Sequence, residues 1–309
     1  MTGRIEYVPN NLINKEKWDN WVRRASNRRI YAMSFFLDIF SPGWGALIMD
    51  DGHAFMPVTW NRKFGVSYVY QPIFVQQLGC FFLDNSYSES LPYFIEKLSA
   101  SFRFIDISMN EANYYQNDLI YLSKMSNYLL KLDKSYDLII RQYNTNTRRN
   151  IIKAERLGLE LLPHYTPSEI IRLFTQNKGR LYPNIRKKNY TRLQFFIDKG
   201  LADGFIQIKA ARALNGQVIA AACFLKEFDR YVFYFSANTE EGRNQGALFF
   251  LINSFIKQNS ESFMILDFNG SMNKNIARFY RGFGAEQTFY HRLKINRLGF
   301  PINLIKRLF

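Results

Sequence analysis

The chain has 309 residues, more than one ordinary domain, and 47% of them are hydrophobic, enough for two ordinary cores. Its 41 basic residues against 26 acidic ones leave a net charge of +15, which points to an anionic partner. Two cysteines and three histidines, scattered without ligand spacing, exclude a disulfide framework and speak against a metal centre.

The first ten residues, MTGRIEYVPN, lack the apolar core of a secretory signal. Lys15 to Arg24 reads as a short helix with Trp18, Trp21 and Val22 as its apolar side, and Tyr31 to Asp38 as a second. Trp44 to Met49 is a strand, Asp50-Asp51-Gly52 a hairpin turn, and His53 to Trp60 the return. NRKFG makes another turn before the strand VSYVYQP. The uncharged run 64–83 is as long as a membrane span, but it contains Pro72 and three glutamines and its front half alternates like a strand. It is not read as a span, and the chain is expected in the cytoplasm. Ser88 to Ser101 has helical spacing; FRFIDISM and NYLLKLD are strands.

Tyr136 to Leu157 reads as one long basic helix closed by Gly158. LELLPH is a strand, and Thr166-Pro-Ser168 caps a further helix. A basic loop, GRLYPNIRKKN, leads to a helix over Tyr190 to Lys199. Three strands follow, GFIQIKAAR, GQVIAAACFLK and YVFYFSAN, then a helix from Gly246 to Lys257 and the strand FMILDF. Each half of the chain thus runs helix-helix, strands, helix, strands. Between Arg141 and Gly200, thirteen basic residues face four acidic ones, so most of the excess charge sits there. It predicts a groove around Arg180, Arg186 and Lys187 for a phosphate-rich or otherwise anionic molecule, the alternative being a solvated basic surface.

The most specific stretch is LDFNGSMNKNIARFYRGFGAE, Leu266 to Glu286. A strand end breaks at Asn269-Gly270-Ser271, a helix carries Ile276, Phe279, Tyr280 and Phe283 on one face, Gly284 ends it, and Thr288 to Ile295 is the next strand. The intervals Asn273, Tyr280, Gly284 resemble the last third of a GNAT acyltransferase domain. FYRGFGA is similar to the Fem family, tandem-GNAT transferases that add amino acids to cell-wall precursors in bacteria. The resemblance covers nearly the whole chain. It implies an α+β fold of two tandem GNAT-like domains, each a mixed sheet flanked by helices, over residues 1–140 and 141–296. A basic apolar tail, 297–309, is expected to pack on the first domain, with a membrane-surface anchor as the alternative.

The same resemblance implies transfer of an acyl or aminoacyl group, from acyl-CoA or aminoacyl-tRNA, to an amine or hydroxyl on a cell-envelope precursor. Tyr280 is the candidate general acid, Asp267 the candidate base and Asn273 a supporting polar group. Asp267 reads equally as a loop-capping carboxylate. Fem transferases carry a lysine where this chain has Tyr280, which moves the expectation towards a thioester donor such as acyl-CoA. Ser236, Arg243, Asn244, Gln245, Gly246 and Ala247 match, in part, the loop that holds the coenzyme A pyrophosphate at a helix N-terminus. Leu248 stands where that loop has a small residue. Arg186 and Tyr190, one turn apart, keep the spacing with which the Fem family holds its acceptor, and Arg180, Tyr182, Tyr70 and Gln71 join them as candidate acceptor-binding groups. The competing class is a catalytically inactive GNAT-fold protein that binds an anionic ligand.

Overall fold

The structure is a computed structural model that describes residues 3–114, 121–162 and 164–299. In chain order the elements are β1 (Ile5–Val8), α1 (Lys15–Arg24), α2 (Ser34–Phe40), β2 (Gly45–Met49), β3 (Ala54–Val58), β4 (Trp60–Lys63), β5 (Val66–Tyr70), β6 (Phe81–Phe82), α3 (Leu91–Ser101), β7 (Phe104–Ser108) and β8 (Tyr121–Lys131). There follow α4 (Tyr136–Ile140), α5 (Thr145–Arg156), β9 (Glu160–Leu162), α6 (Pro167–Gln176), α7 (Lys187–Ala202), β10 (Ile206–Arg212), β11 (Val218–Glu227) and β12 (Arg230–Asn238). The last are α8 (Glu240–Gln245), α9 (Ala247–Asn259), β13 (Ile265–Asp267), α10 (Lys274–Arg281) and β14 (Glu286–Asn296).

The chain divides into two compact units, one of residues 126–288 and one of residues 1–125 together with 289–309. This differs from a cut near residue 140 with everything up to 296 in the second domain. Most of the last strand, β14, belongs to the first unit, because it pairs antiparallel with β7 from Arg292↔Ser108 to Asn296↔Phe104 and adds Leu293 and Ile295 to that unit's core. The start of the tail continues this contact, with the Arg297 amide donating to the Arg103 carbonyl at 2.7 Å; residues 300–309 of the tail lie outside the described residues.

In the first unit, α1 is started by the Asn14 side chain, which accepts from the Lys17 amide, and it buries Trp18 and Val22. The Trp18 ring packs 5.0 Å from both Trp44 and Phe55. One sheet runs β1-β2-β3-β6, all antiparallel. A second run, β4-β5-β7-β14, contains the parallel pair β5–β7, whose crossover includes α3.

In the second unit the strand order is β8-β13-β12-β11-β10-β9. Here too one pair is parallel, β12–β13, joined by a crossover through α8 and α9. Helices cover both faces. Phe174 of α6 meets Phe235, and Phe196 of α7 meets Tyr234, on one face. Ile151 of α5, Leu251 and Phe255 of α9 and Phe283 beyond α10 share a core with Ala222, Phe224 and Phe233 on the other. The expected single helix 136–157 is two, α4 and α5. The chain turns at Gln142–Asn144, and the Asn144 side chain caps α5 by accepting from the Thr147 amide at 2.8 Å. A carboxamide at that position competes with the helix for backbone donors and restarts it instead of continuing it.

Candidate functional site

The site is built where β12 and β13 part. Their parallel pairing covers Arg230↔Ile265, Tyr231↔Leu266 and Val232↔Asp267. Beyond that, β13 stays with β8, the Phe268 amide donating to the Tyr128 carbonyl, whereas β12 stays with β11 out to Asn238. A bulge at Tyr234 helps to open the gap. Cys223 faces Phe235 while Phe224 faces Phe233, so one residue of β12 is extra, and such an insertion bends its strand. The Thr239 amide donates to the Ile219 carbonyl of β11. By antiparallel alternation the backbone groups of Asn238 and Ser236 then point away from β11, into the gap. The Asn238 carbonyl is met by Arg243 at 3.2 Å, and the Ser236 groups take a partner from solvent or ligand.

Tyr280 stands at this gap. It lies on α10, stacks on Phe268 at 4.7 Å and meets Phe233 edge-on at 6.3 Å. Burial, and then the nearby Asp267 and Tyr182, push its phenol well above the ordinary tyrosine value. The position of Tyr182 follows from the 3₁₀ turn Lys178–Leu181 after α6, and its ring lies over Phe174 of α6 at 6.2 Å. Tyr190, one turn into α7, also packs against Phe174, and Arg186 is the N-cap of α7 with its amide on Asn189 Oδ1. Arg180, Arg186 and Lys187 are exposed beside these rings.

Several candidates have other work. Asp267 is 1% exposed; its Oδ2 accepts from Arg230 at 3.2 Å and its Oδ1 from the Asn269 amide at 2.8 Å. Both oxygens are engaged, so the structure favours the turn-capping carboxylate over the free base. Asn273 is the N-cap of α10, its Oδ1 accepting from the Asn275 and Ile276 amides. Its place in the interval Asn273, Tyr280, Gly284 is explained by helix initiation. In the first unit, the Tyr70 hydroxyl lies 3.2 Å from Ser41 Oγ, and the Gln71 side chain is consumed by the Val75 carbonyl of its own loop and the Ser108 amide of β7. Tyr70 and Gln71 are therefore parts of a closed strand end and not open acceptor ligands.

The expected pyrophosphate loop is largely a helix. Residues 240–245 form α8, capped by the Thr239 hydroxyl, with Arg243, Asn244 and Gln245 inside it. Three amides of the stretch are spent internally: Gly242 N–H on the Thr239 hydroxyl, Arg243 N–H on the Thr239 carbonyl and Gly246 N–H on the Arg243 carbonyl. Arg243 itself donates to the Asn238 carbonyl and Gln245 to Glu241. Glu240 and Glu241 occupy the first turn, where their charge repels a phosphate. Gly246 joins α8 to α9 with φ +77°, and a Cβ there would lie 2.6 Å from the Asn150 carbonyl oxygen, which fixes glycine. Ala247 is buried, and Leu248, Phe249 and Phe279 line a notch of about 190 Å³ that also touches Asn238. Asn238 Oδ1 is buried there without a hydrogen-bond partner among the described residues. The signal for α8 was present in Thr239-Glu240-Glu241, a cap followed by two acids.

The basic segment is divided by the sheet. Arg148, Arg149, Lys153 and Arg156 lie on α5, on the α9 and α10 face, whereas Arg180, Arg186, Lys187, Lys188 and Arg192 lie on the α6 and α7 face. Spacing along the chain carries no information about that division. Among the described residues there is no cluster of His, Cys, Asp and Glu that could hold a metal ion, and no helix long and apolar enough to cross a membrane.

No sequence-family model and no curated protein matches the chain. Solved structures do. FemX superposes with a TM-score of 0.66 at 12% identity, over 97% of this chain and 99% of that one. A conserved protein of unknown function from Bacteroides thetaiotaomicron gives 0.60 at 10%, over 92% and 98%. L-PGS from Bacillus licheniformis gives 0.56 at 11%, over 94% of each. At these identities the likeness is one of fold, the FemX-like arrangement of mixed sheet and flanking helices.

Proposed function

We propose that the chain transfers an aminoacyl or acyl group to an amine or hydroxyl of an anionic cell-envelope precursor, with the chemistry in the second unit. The observation that carries this is Tyr280 at the parted strands, its ring packed on Phe268 and Phe233, which follow the last paired residues of β13 and β12. The acceptor nitrogen or oxygen attacks the ester carbonyl carbon. The tetrahedral intermediate collapses, the bond to the leaving oxygen or sulfur breaks, and the Tyr280 O–H supplies a proton to the leaving group. The phenolate then recovers a proton from the attacking group. Ser236 backbone groups are available to the donor, and Arg180, Arg186, Lys187 and Tyr190 to the anionic acceptor.

The donor we favour is an oxygen ester, as in aminoacyl-tRNA. A phenol pushed above its ordinary value of about 10 hands a proton uphill to a thiolate, whose acid has a pKa of about 8.5. An alkoxide is more basic than a thiolate and takes that proton more readily. The acidic start of α8 and its spent amides give a coenzyme A pyrophosphate little to hold. FemX and L-PGS, the neighbours by fold, are consistent with an envelope acceptor at the inner face of the membrane. The test is transfer of radiolabel from aminoacyl-tRNA and from acetyl-CoA to lipid and nucleotide-linked precursors. Transfer from tRNA alone is expected, and a loss of about 10²-fold or more in kcat for Tyr280→Phe at unchanged melting. Full activity of Tyr280→Phe removes it from the mechanism; binding of an anionic precursor without transfer from either donor selects the inactive binding protein.

A further inference from the structure

A cavity of about 380 Å³ opens on the α5 and α9 side of the second unit, away from α6 and α7. That is within the size range of small-molecule sites. Its walls are apolar: Ile140 after the first turn of α4, Ile151 and Ile152 of α5, and the rings of Tyr136 and Tyr143. Ile152 is 47% exposed although it lies against this wall.

Two features of the lining are polar and point to a ligand. Asn253 of α9 is 6% exposed, and both tyrosine hydroxyls donate to its Oδ1, each at 3.1 Å. A carboxamide also carries two N–H donors. Both contacts use the oxygen, so the Nδ2 donors are left to water or to a ligand in the cavity that Asn253 lines. The second feature is the rim. Arg141 and Arg148 stand together there, Arg148 Nη2 donating to the Arg141 carbonyl at 2.8 Å, and Lys257 lies over the Tyr136 ring. Glu155 is the one acid of the lining. It sits two turns from Arg148 along α5, so the rim is polarised, with the cationic end at the arginines.

We propose that this cavity binds a small amphipathic carboxylate of the fatty-acid class. The hydrocarbon lies along Ile151, Ile152 and the tyrosine rings. The carboxylate accepts from Asn253 Nδ2 and faces Arg141 and Arg148. The free amide donors ask for an acceptor, the two arginines of the rim for negative charge, and the isoleucines for an apolar body; a carboxylate on a short chain supplies all three. This site is separate from the parted strands and does not rest on the transferase proposal.

Octanoate and its neutral counterpart 1-octanol are the probes, titrated calorimetrically into the full chain. Saturable 1:1 binding of octanoate is expected, with octanol at least about tenfold weaker, since a charge-assisted hydrogen bond is lost. Asn253→Asp keeps the tyrosine hydrogen bonds and the side-chain shape but replaces the donor by an anion; it should abolish octanoate binding while sparing octanol. Arg148→Ala, on the exposed face, should weaken octanoate by about tenfold at unchanged melting and decides the matter if Asn253→Asp fails to fold. No saturable binding of octanoate, octanol as tight as octanoate, or equal octanoate affinity in Arg148→Ala and the unaltered chain overturns the proposal.

Discussion

Each unit contains one parallel strand pair joined by a helical crossover, and the two pairs end differently. In the first unit, β5 and β7 run together to Tyr70↔Asp106, and then the chain itself fills the space that follows. Gln71 Oε1 accepts from the Ser108 amide at 2.8 Å, Gln71 Nε2 donates to the Val75 carbonyl, and the Leu78 amide donates to the Ser108 carbonyl. In the second unit, β12 and β13 separate after Val232↔Asp267, β12 staying with β11 and β13 with β8. The same topology thus gives a sealed end in one place and an open one in the other. An open end leaves backbone groups such as those of Ser236 outside the strand pairing, and it is there that the Tyr280 ring packs on Phe268 and Phe233. A repeated fold does not imply a repeated active site; the fate of a few backbone hydrogen bonds decides.

The sharpest way to break this comparison is at the open end, through Asp267. Asp267→Ala strips a buried carboxylate from Arg230 and an acceptor from the Asn269 amide. Loss of one partner from a buried ion pair costs about 3–5 kcal/mol, and Glu227, 4.0 Å from Arg230, keeps the loss near the lower end. Denaturant melts should show that loss, with activity following the folded fraction. A fully stable Asp267→Ala with a collapsed kcat would restore Asp267 as the base. At the sealed end, Gln71→Ala leaves the Ser108 amide unmet and should cost about 1–3 kcal/mol without altering kcat per folded molecule. A changed kcat there would mean that the first unit contributes to the chemistry after all.

Replacing Arg180, Arg186 and Lys187 together by Ala should weaken binding of the anionic acceptor and flatten its salt dependence, by up to about 0.7–0.9 in log–log slope per lost phosphate contact. The smallest effect concerns pH. Tyr143, Tyr136 and Tyr280 are all raised above the ordinary value, chiefly by burial. Below about pH 10 they are protonated in both folded and unfolded chains. Above it the unfolded chain ionises first, so stability falls as pH rises. Melting should be flat to about pH 9 and decline beyond about pH 10, with a shallower decline in Tyr143→Phe. Activity should likewise keep its protonated Tyr280 through pH 9.

Much of this was legible before any coordinates. Lys15–Arg24 is a helix as its tryptophan spacing required, and the strand-break-helix pattern around Tyr280 folds as read, because capping and apolar periodicity are local signals. The missed features are those that depend on distant partners or on competing local bonds. Asn144 looked like an interior helix residue until its cap bond to Thr147 was seen. Thr239-Glu240-Glu241 begins a helix where a loop was expected, and that costs the phosphate cradle its free amides. The concentration of basic residues was visible, but a sheet runs through it, and which side chains share a face is set by the packing of Phe174 and Phe196 against β12 on one side and of Ile151 and Leu251 on the other.

The return of β14 to the first unit bears on how the protein is made. Leu293 and Ile295 complete a core whose other members are synthesised before residue 126. At roughly 5–20 residues per second, the ribosome spends on the order of 10–30 s on the intervening stretch. Throughout that interval the β7 edge has no covalent successor, and the second unit, whose strands are contiguous in the chain, can close first. The nascent first unit must therefore wait in a partly open form, a period in which a chaperone, or a solubilising partner fused ahead of it, would act on yield without touching the stability of the finished molecule.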